Sequence, residues 1–207
     1  MRDVLICDFG GVLTSPLQVG FRAYQEESGL SLEALGTAMA RAAEADGDHP
    51  LFVLERGEIT AAEFRGRIER HLEAGFDLDR LVALYFDHME PNRSMIDYVR
   101  ELRGRGVRAA LLTNNVREWE PLWRSKLPEI DELFELVVDS AFVGLRKPDP
   151  AIFALTLERL GGVEAARCVF VDDLDVNCEA ARGLGMAAVR FEDAGQAIPE
   201  IESALAQ

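Results

Sequence analysis

Five short runs of the chain are apolar at nearly every position: residues 4–8, 107–113, 136–139, 168–172 and 187–191. A strand with one wet face alternates apolar and polar residues, whereas a strand covered on both faces does not. These runs therefore read as parallel strands of a buried sheet. Helical periodicity separates the last four. Residues 94–103 place Met95, Val99 and Leu102 on one face. Residues 150–160 open with Asp149 as an N-cap and Pro150 at the first helical position. Residues 175–184 run into Gly185, a helix stop. Strands alternating with helices predict a doubly wound, Rossmann-like α/β core.

The stretch between the first two runs breaks this alternation. Residues 16–91 carry only helical patterns, including Thr60-Ala61-Ala62-Glu63, which fits a capping box. Turn residues stand at both ends, Ser15-Pro16 and Pro91-Asn92. The predicted organisation is an α/β core of residues 1–14 and 92–207, with an inserted helical unit over 15–91. From Ala194 onward the pattern is that of a short amphipathic helix.

Composition narrows the classes of partner. With 48% hydrophobic and 29% charged residues, the chain reads as soluble and globular. Its longest apolar run falls far short of the ~20 residues that span a bilayer. The N-terminus lacks the apolar stretch and cleavage site of a secretory signal. The formal charge of −15, from 22 basic and 37 acidic residues, opposes nucleic acid and anionic membranes as partners. It also repels phosphate at long range, so an anion site needs local basic groups or a metal. Cys7, Cys168 and Cys178 lack metal-type spacing, and Cys7 and Cys168 sit in apolar runs. They read as buried free thiols in a reducing cytoplasm.

Ligands of open α/β sheets bind outside the carboxyl ends of the strands, and polar residues cluster at those ends here. Asp8 closes the first run, Thr113-Asn114-Asn115 the second and Asp172-Asp173 the fourth. Lys147 stands in "GLRKPDP", after the third. A single Asp at a strand end is a common cap or turn residue, and a lysine before proline is usually solvated. Four distant sites converging on one sheet edge point instead to a ligand. Phosphoryl transfer through an aspartate needs this set. Carboxylates hold Mg²⁺, while a hydroxyl and backbone N–H groups hold phosphate oxygens. A lysine keeps the attacking carboxylate ionised and aimed, and a free Asp attacks phosphorus.

These stretches resemble the four motifs of the haloacid dehalogenase-like (HAD) hydrolases, subfamily IA. "DFGGVL" from Asp8 looks like motif I, "LLTNN" motif II, "RKPDP" motif III and "VFVDDLDVNCEAARGLGM" motif IV. The wording of "TNN", "VGLRKPDPAIF" and "FVDDLDVNCEAARGLGM" is similar to the phosphatase domain fused to soluble epoxide hydrolases. The helical insert matches the family's C1 cap by position and by "LERGEIT" at 54–60.

The resemblance implies a cytoplasmic, Mg²⁺-dependent hydrolase acting on a small phosphorylated metabolite. Asp8 would be nucleophile and metal ligand, Gly10 would offer a backbone carbonyl to the metal, and Asp173 with Asp172 would complete the protein's share of its ligands. Thr113, Asn114, Lys147 and Gly11 would meet the phosphate. One position departs from the pattern. Phosphatases of this family carry a second Asp two residues after the nucleophile, as general acid and then base, and here that position is Gly10. The proton could come from the cap, from the substrate, or not be needed. No motif fixes His49, His71 or His88 of the insert, so the expectation is a preference for weakly basic leaving groups such as acyl, aryl or sugar 1-phosphates.

Two other readings remain at this stage. The 2-haloacid dehalogenases of the same superfamily also lack the second Asp and attack carbon without Mg²⁺. Against them, Asp172-Asp173 puts two negative charges where their anionic substrate binds. A silent phosphate-ligand binder would likewise lack the acid. Asp175 and Asn177 read as residues of a helix start, Trp119 and Trp123 as packing. Glu55 and Arg56 read as solvated surface before they read as substrate contacts.

Overall fold

The sheet predicted from the five apolar runs is present in the computed structural model, which describes residues 2–72 and 75–207. Strands β1 (Val4–Cys7), β2 (Arg108–Thr113), β3 (Leu136–Asp139), β4 (Cys168–Asp172) and β5 (Ala187–Arg190) are all parallel, in the order β3-β2-β1-β4-β5. Three of the runs overshoot their strands by one residue at an end. Asp8 is one of these: it leaves the ladder, although its N–H still donates to the Val171 carbonyl at 2.9 Å. Cys7 pairs with Leu111 on one side and Val171 on the other. Continuing that register sets Asp8 level with Asp172.

Among the described residues the insert holds five helices: α1 (Gln18–Ser28), α2 (Leu32–Asp46), α3 (Pro50–Glu55), α4 (Ala61–Glu69) and α5 (Leu78–Asp87). Thr60 and Glu63 form the predicted capping box. The chain enters and leaves the insert at one place. Thr14 and Pro91 form an isolated antiparallel bridge, Asn92 N–H donates to the Leu13 carbonyl at 2.8 Å, and Ser15 N–H donates to that of Glu90 at 2.8 Å. Helix α1 lies against α5 so closely that a Cβ on Gly20 would stand 2.5 Å from the Tyr85 Cα.

Seven further helices follow: α6 (Arg93–Gly104), α7 (Glu120–Lys126), α8 (Ile130–Leu133), α9 (Ser140–Val143), α10 (Pro150–Arg159), α11 (Asp175–Gly183) and α12 (Ala194–Leu205). The doubly covered sheet explains why its strands do not alternate. Leu5, Cys7, Leu111 and Val169 pack with Met95, Val99 and Leu102 of α6 and Ile201 of α12. Val4, Ile6, Ala110 and Phe170 pack on the opposite face with Phe153 of α10 and Cys178 of α11. The first of these clusters continues into the insert through Leu54, Phe64 and Phe86. Trp123 is buried against Phe9, ring centroids 5.2 Å apart. All three cysteines are buried and free. Among the described residues, no helix is long and apolar enough to cross a membrane.

One buried carboxylate weakens this frame. Asp139 caps α9 through one oxygen, which accepts from the Ala141 N–H at 3.0 Å, while Oδ2 is buried without a partner. Burial pushes its pKa up to about 6. A carboxyl whose folded pKa is raised favours the fold when protonated, and that contribution is lost as the pH rises through the folded value. Asp139→Asn keeps the cap acceptor and removes the charge. It should stabilise the protein by about 1–3 kcal/mol at pH 8, with the gain fading below pH 4, where Asp139 is protonated folded or unfolded. Urea unfolding at both pH values measures this; a gain independent of pH would refute the assignment.

Candidate active site

The site forms where β1 ends. Phe9 turns inward and is 1% exposed, leaving Asp8 along the sheet edge, itself 7% exposed. Lys147 reaches it from the loop between α9 and α10. Asn114, just past β2, brackets that loop: its Oδ1 accepts from the Lys147 N–H at 2.8 Å and its Nδ2 donates to the Lys147 carbonyl at 3.0 Å. The amide expected from the sequence to meet phosphate thus holds the lysine loop. Lys147 is the opposite of a solvated loop lysine. It is 2% exposed, and its Nζ donates to Asp8 Oδ1 at 2.6 Å and to Asp172 Oδ2 at 2.7 Å.

Asp172 is the fixed point of this arrangement. Its Oδ1 accepts from the Leu174 N–H at 2.9 Å and Asn177 Nδ2 at 3.0 Å, and its Oδ2 from Lys147 and, at 3.1 Å, from Asn177 again. A carboxylate has about four acceptor sites, and here all are engaged by protein. Asn177, read from sequence as a helix-start residue, is in the first turn of α11, yet it is buried and aimed back at the strand end. Its only sequence signal is its place one turn into a helix that starts at the site.

Asp173 lies over the turn that follows Asp8. A Cβ built on Gly11 would stand 2.5 Å from Asp173 Oδ2, and Gly11 has φ +80°. Gly10 is different: a Cβ there would meet nothing within 4 Å. Thr113 is buried at the end of β2, in register with Asp139. Asp8, Asp172 and Asp173 each offer an oxygen within 4.8 Å of the others. One ammonium faces these three carboxylates. Burial raises Asp8 to about 7 even though Lys147 pulls it down. Burial and the Asp172 charge also raise Asp173. Burial works against the Lys147 ammonium, but Asp172 and Asp8 outweigh it and hold its pKa above the ordinary value. The cluster is short of positive charge, and its unengaged donors are oxygens. Hard-cation chemistry fits such a set.

Of the two insert residues weighed as substrate contacts, Glu55 reaches the lysine loop and Arg56 does not. Arg56 pairs with Asp48 and Glu58, both exposed. Glu55, by contrast, is not solvated: its Oε2 accepts from Arg146 Nε at 2.7 Å, next to Lys147 in the chain. The Glu55 carbonyl also accepts from Ser140 Oγ at 2.6 Å. No histidine belongs to the carboxylate cluster. His49 stacks on Phe52, His88 Nδ1 lies 2.9 Å from the Leu84 carbonyl, and His71 lines a separate crevice between α2 and α4. Beside Asp173 a cavity of about 670 Å³ opens at the crossing into the insert, bordered by Gly11, Ser15, Pro91, Asn92 and Arg190.

Over residues 3–185 the sequence matches the family described as hydrolase, haloacid dehalogenase-like hydrolase. The chain belongs to the HAD-like hydrolases. It is 26% identical over 212 residues to Bifunctional epoxide hydrolase 2 of Sus scrofa, covering 95% of this chain and 38% of that protein. It is 32% identical over 139 residues to Phosphatase MT3486 of Mycobacterium tuberculosis (strain CDC 1551 / Oshkosh), covering 65% of this chain and 63% of that one. The chain thus spans less than two thirds of each of these curated relatives. Its fold is similar to that of the HAD family enzyme bt-2542 from Bacteroides thetaiotaomicron, crystallised with magnesium and inorganic phosphate. The TM-score is 0.71 and the identity 22%, over 94% of this chain and 96% of that one.

The two glycines of this HAD turn should respond oppositely to the same change. Gly11→Ala forces a side chain into left-handed backbone and onto the Asp173 carboxylate, so it should cost at least about 1–2 kcal/mol. Gly10→Ala should be neutral or stabilising by less than about 1 kcal/mol. Thermal unfolding of the two variants decides; equal losses would mean that the turn is not as described.

Proposed function

We propose that this HAD-like hydrolase is a Mg²⁺-dependent phosphatase of a small phosphorylated metabolite, working in the cytoplasm through an aspartyl-phosphate on Asp8. The observation that carries the reading is the buried lysine that holds Asp8 from one side while the other Asp8 oxygen is left free. Lys147 opposes the rise that burial imposes on the Asp8 pKa and aims the carboxylate; its ionised form attacks phosphorus as the ester oxygen departs in line. Lys147 and Thr113 then meet the phosphate oxygens, with the backbone of Gly11 and Asn114. The name of the mycobacterial relative, a phosphatase, supports the reaction class. Free buried thiols fit a reducing compartment.

Asp8 and Asp173 would hold the metal, with the Gly10 carbonyl as a further donor, and a cation held there would offset charge on the phosphate. Asp172 belongs to the same carboxylate cluster but, with its acceptor sites already engaged, serves by fixing Lys147. The dehalogenase reading has less support: an anionic carboxylate substrate gains nothing from a second half-buried carboxylate at Asp173. Residues 1–14 and 92–207 form the core in this proposal and 15–91 the C1 cap. Because Asp8, Thr113 and Lys147 are nearly sealed, substrate entry requires the cap to swing about the Thr14–Pro91 crossing.

Three measurements test this. Asp8→Asn should fold normally, lose at least about 10³-fold in phosphate-ester hydrolysis, and no longer trap beryllium fluoride with Mg²⁺; wild-type rates in this variant would end the proposal. Mg²⁺ titration should show a large loss of affinity in Asp173→Ala and little in Asp175→Ala, since Asp175 is exposed at the start of α11. Hydrogen exchange should show amides of 15–91 better protected once beryllium fluoride and Mg²⁺ are bound. An unchanged cap at saturation would contradict closure.

A further inference from the structure

Glu55 meets the core twice, and both contacts lead to the lysine. Its side chain accepts from Arg146 Nε at 2.7 Å, and Arg146 directly precedes Lys147. Its main-chain carbonyl accepts from Ser140 Oγ at 2.6 Å, and the same hydroxyl oxygen accepts from the Asn115 N–H at 3.0 Å. Asn115 follows Asn114, whose side chain brackets the Lys147 backbone. One residue of the insert therefore reaches that bracket from both sides.

The seam around Glu55 keeps it in place. The Glu55 and Arg146 side chains are 15% and 17% exposed, so their pairing is little screened by solvent. The Arg146 guanidinium also lies over the Phe52 ring, 3.9 Å from its centroid, one turn back along α3. A planar guanidinium that is stacked and paired at once has little freedom left. Two residues on, Gly57 has φ +67°, and a Cβ there would stand 2.3 Å from the Ala141 carbonyl oxygen. The turn after α3 thus seats directly on α9. The Ala61 N–H then donates to Glu118 Oε1 at 2.9 Å. The insert is fastened to the segments after β2 and β3 as well as at the Thr14–Pro91 crossing.

We propose that Glu55 is a positioning residue: docked at the end of α3, it holds Arg146 and so seats Lys147 between Asp8 and Asp172. The consequence for turnover rests on the phosphatase reading; the seating of the lysine does not. The Lys147 ammonium is tied at 2.6 Å to one carboxylate and at 2.7 Å to the other, so a small shift of its loop weakens both bonds. Asn114 fixes the backbone of Lys147, and Glu55 fixes the side chain of the residue before it. Glu55 thereby acts without touching substrate. Lifting α3 from the core loosens the lysine at the same time as it opens the site. Attack by Asp8 is then confined to the docked arrangement, because closure completes the group that aims the nucleophile.

The chain has two lysines, Lys126 and Lys147, so amine acylation of the full chain, mapped by mass spectrometry, reads the seat directly. Lys147 is sealed in the wild type and should acylate far more slowly than Lys126. Glu55→Ala should speed acylation of Lys147 at least about 10-fold and leave Lys126 unchanged. Arg146→Ala should do the same, the double variant no more, and Glu55→Gln, which keeps the acceptor, far less. Ile201→Ala, a core truncation on α12 outside this seam, controls for general loosening and should leave Lys147 protected. With Mg²⁺ and 4-nitrophenyl phosphate, kcat of Glu55→Ala should fall by about 10- to 10²-fold with KM unchanged. Equal protection of Lys147 in the wild type and Glu55→Ala, or equal release in Ile201→Ala, would overturn the Glu55 proposal alone. So would an unchanged kcat in a protein whose turnover needs Asp8. Release of Lys147 in Glu55→Ala, with no Asp8-dependent turnover in any form, would uphold the positioning and overturn the phosphatase reading.

Discussion

Everything at the carboxyl edge of the sheet is arranged around one buried ammonium. Lys147 sits between Asp8 and Asp172 with almost no access to water. A buried charge persists only when it is paired and its remaining hydrogen-bonding groups are met. That requirement propagates outward. Asp172 must be fixed, which engages Asn177 and the Leu174 N–H; the lysine's own loop must be fixed, which engages Asn114. Three strand ends and the start of α11 are thereby tied to one side chain. Two carboxylates share the ammonium, so removing Asp8 leaves Asp172 to pair with it, whereas removing Asp172 also unties Asn177 and the Leu174 N–H from the lysine.

The same logic explains why the cluster is so acidic. A lysine balances one carboxylate, and three converge. Asp173 is held over the bare backbone of Gly11 rather than against a basic partner. An arrangement that leaves net negative charge in a half-closed pocket is stable only if solvent or a cation reaches it. The cavity beside Asp173 opens at that point.

What could be read from the sequence follows from how local its causes are. The sheet was legible because strands covered on both faces carry unbroken Val, Leu, Ile and Phe, and the insert because Thr60 and Glu63 cap a helix where a strand would otherwise be due. Asp8, Lys147, Asp172 and Asp173 were legible because they stand at strand ends or in a short motif. Asn177 and Glu55 were not. Asn177 looks like any polar residue in a first helical turn, and only the packing of α11 on β4 and β5 turns it toward Asp172. Glu55 lies 91 residues from Arg146, a pairing no local pattern announces. Asn114 was found for its position, but the two bonds of its side chain to the Lys147 backbone were not legible, since they depend on how the chain returns from β3.

The crossing at Thr14 and Pro91 has a consequence for how such a chain can change over time. Entry and exit of the insert lie side by side and bond to each other rather than to distant parts of the sheet. The helices between them also share the core's apolar cluster and hold the lysine loop through Glu55 and Arg146. A different helical assembly with the same two ends would therefore also have to offer an apolar face to that cluster and a partner to Arg146. Drift in the insert is thus free at its outer helices and constrained where it meets the sheet.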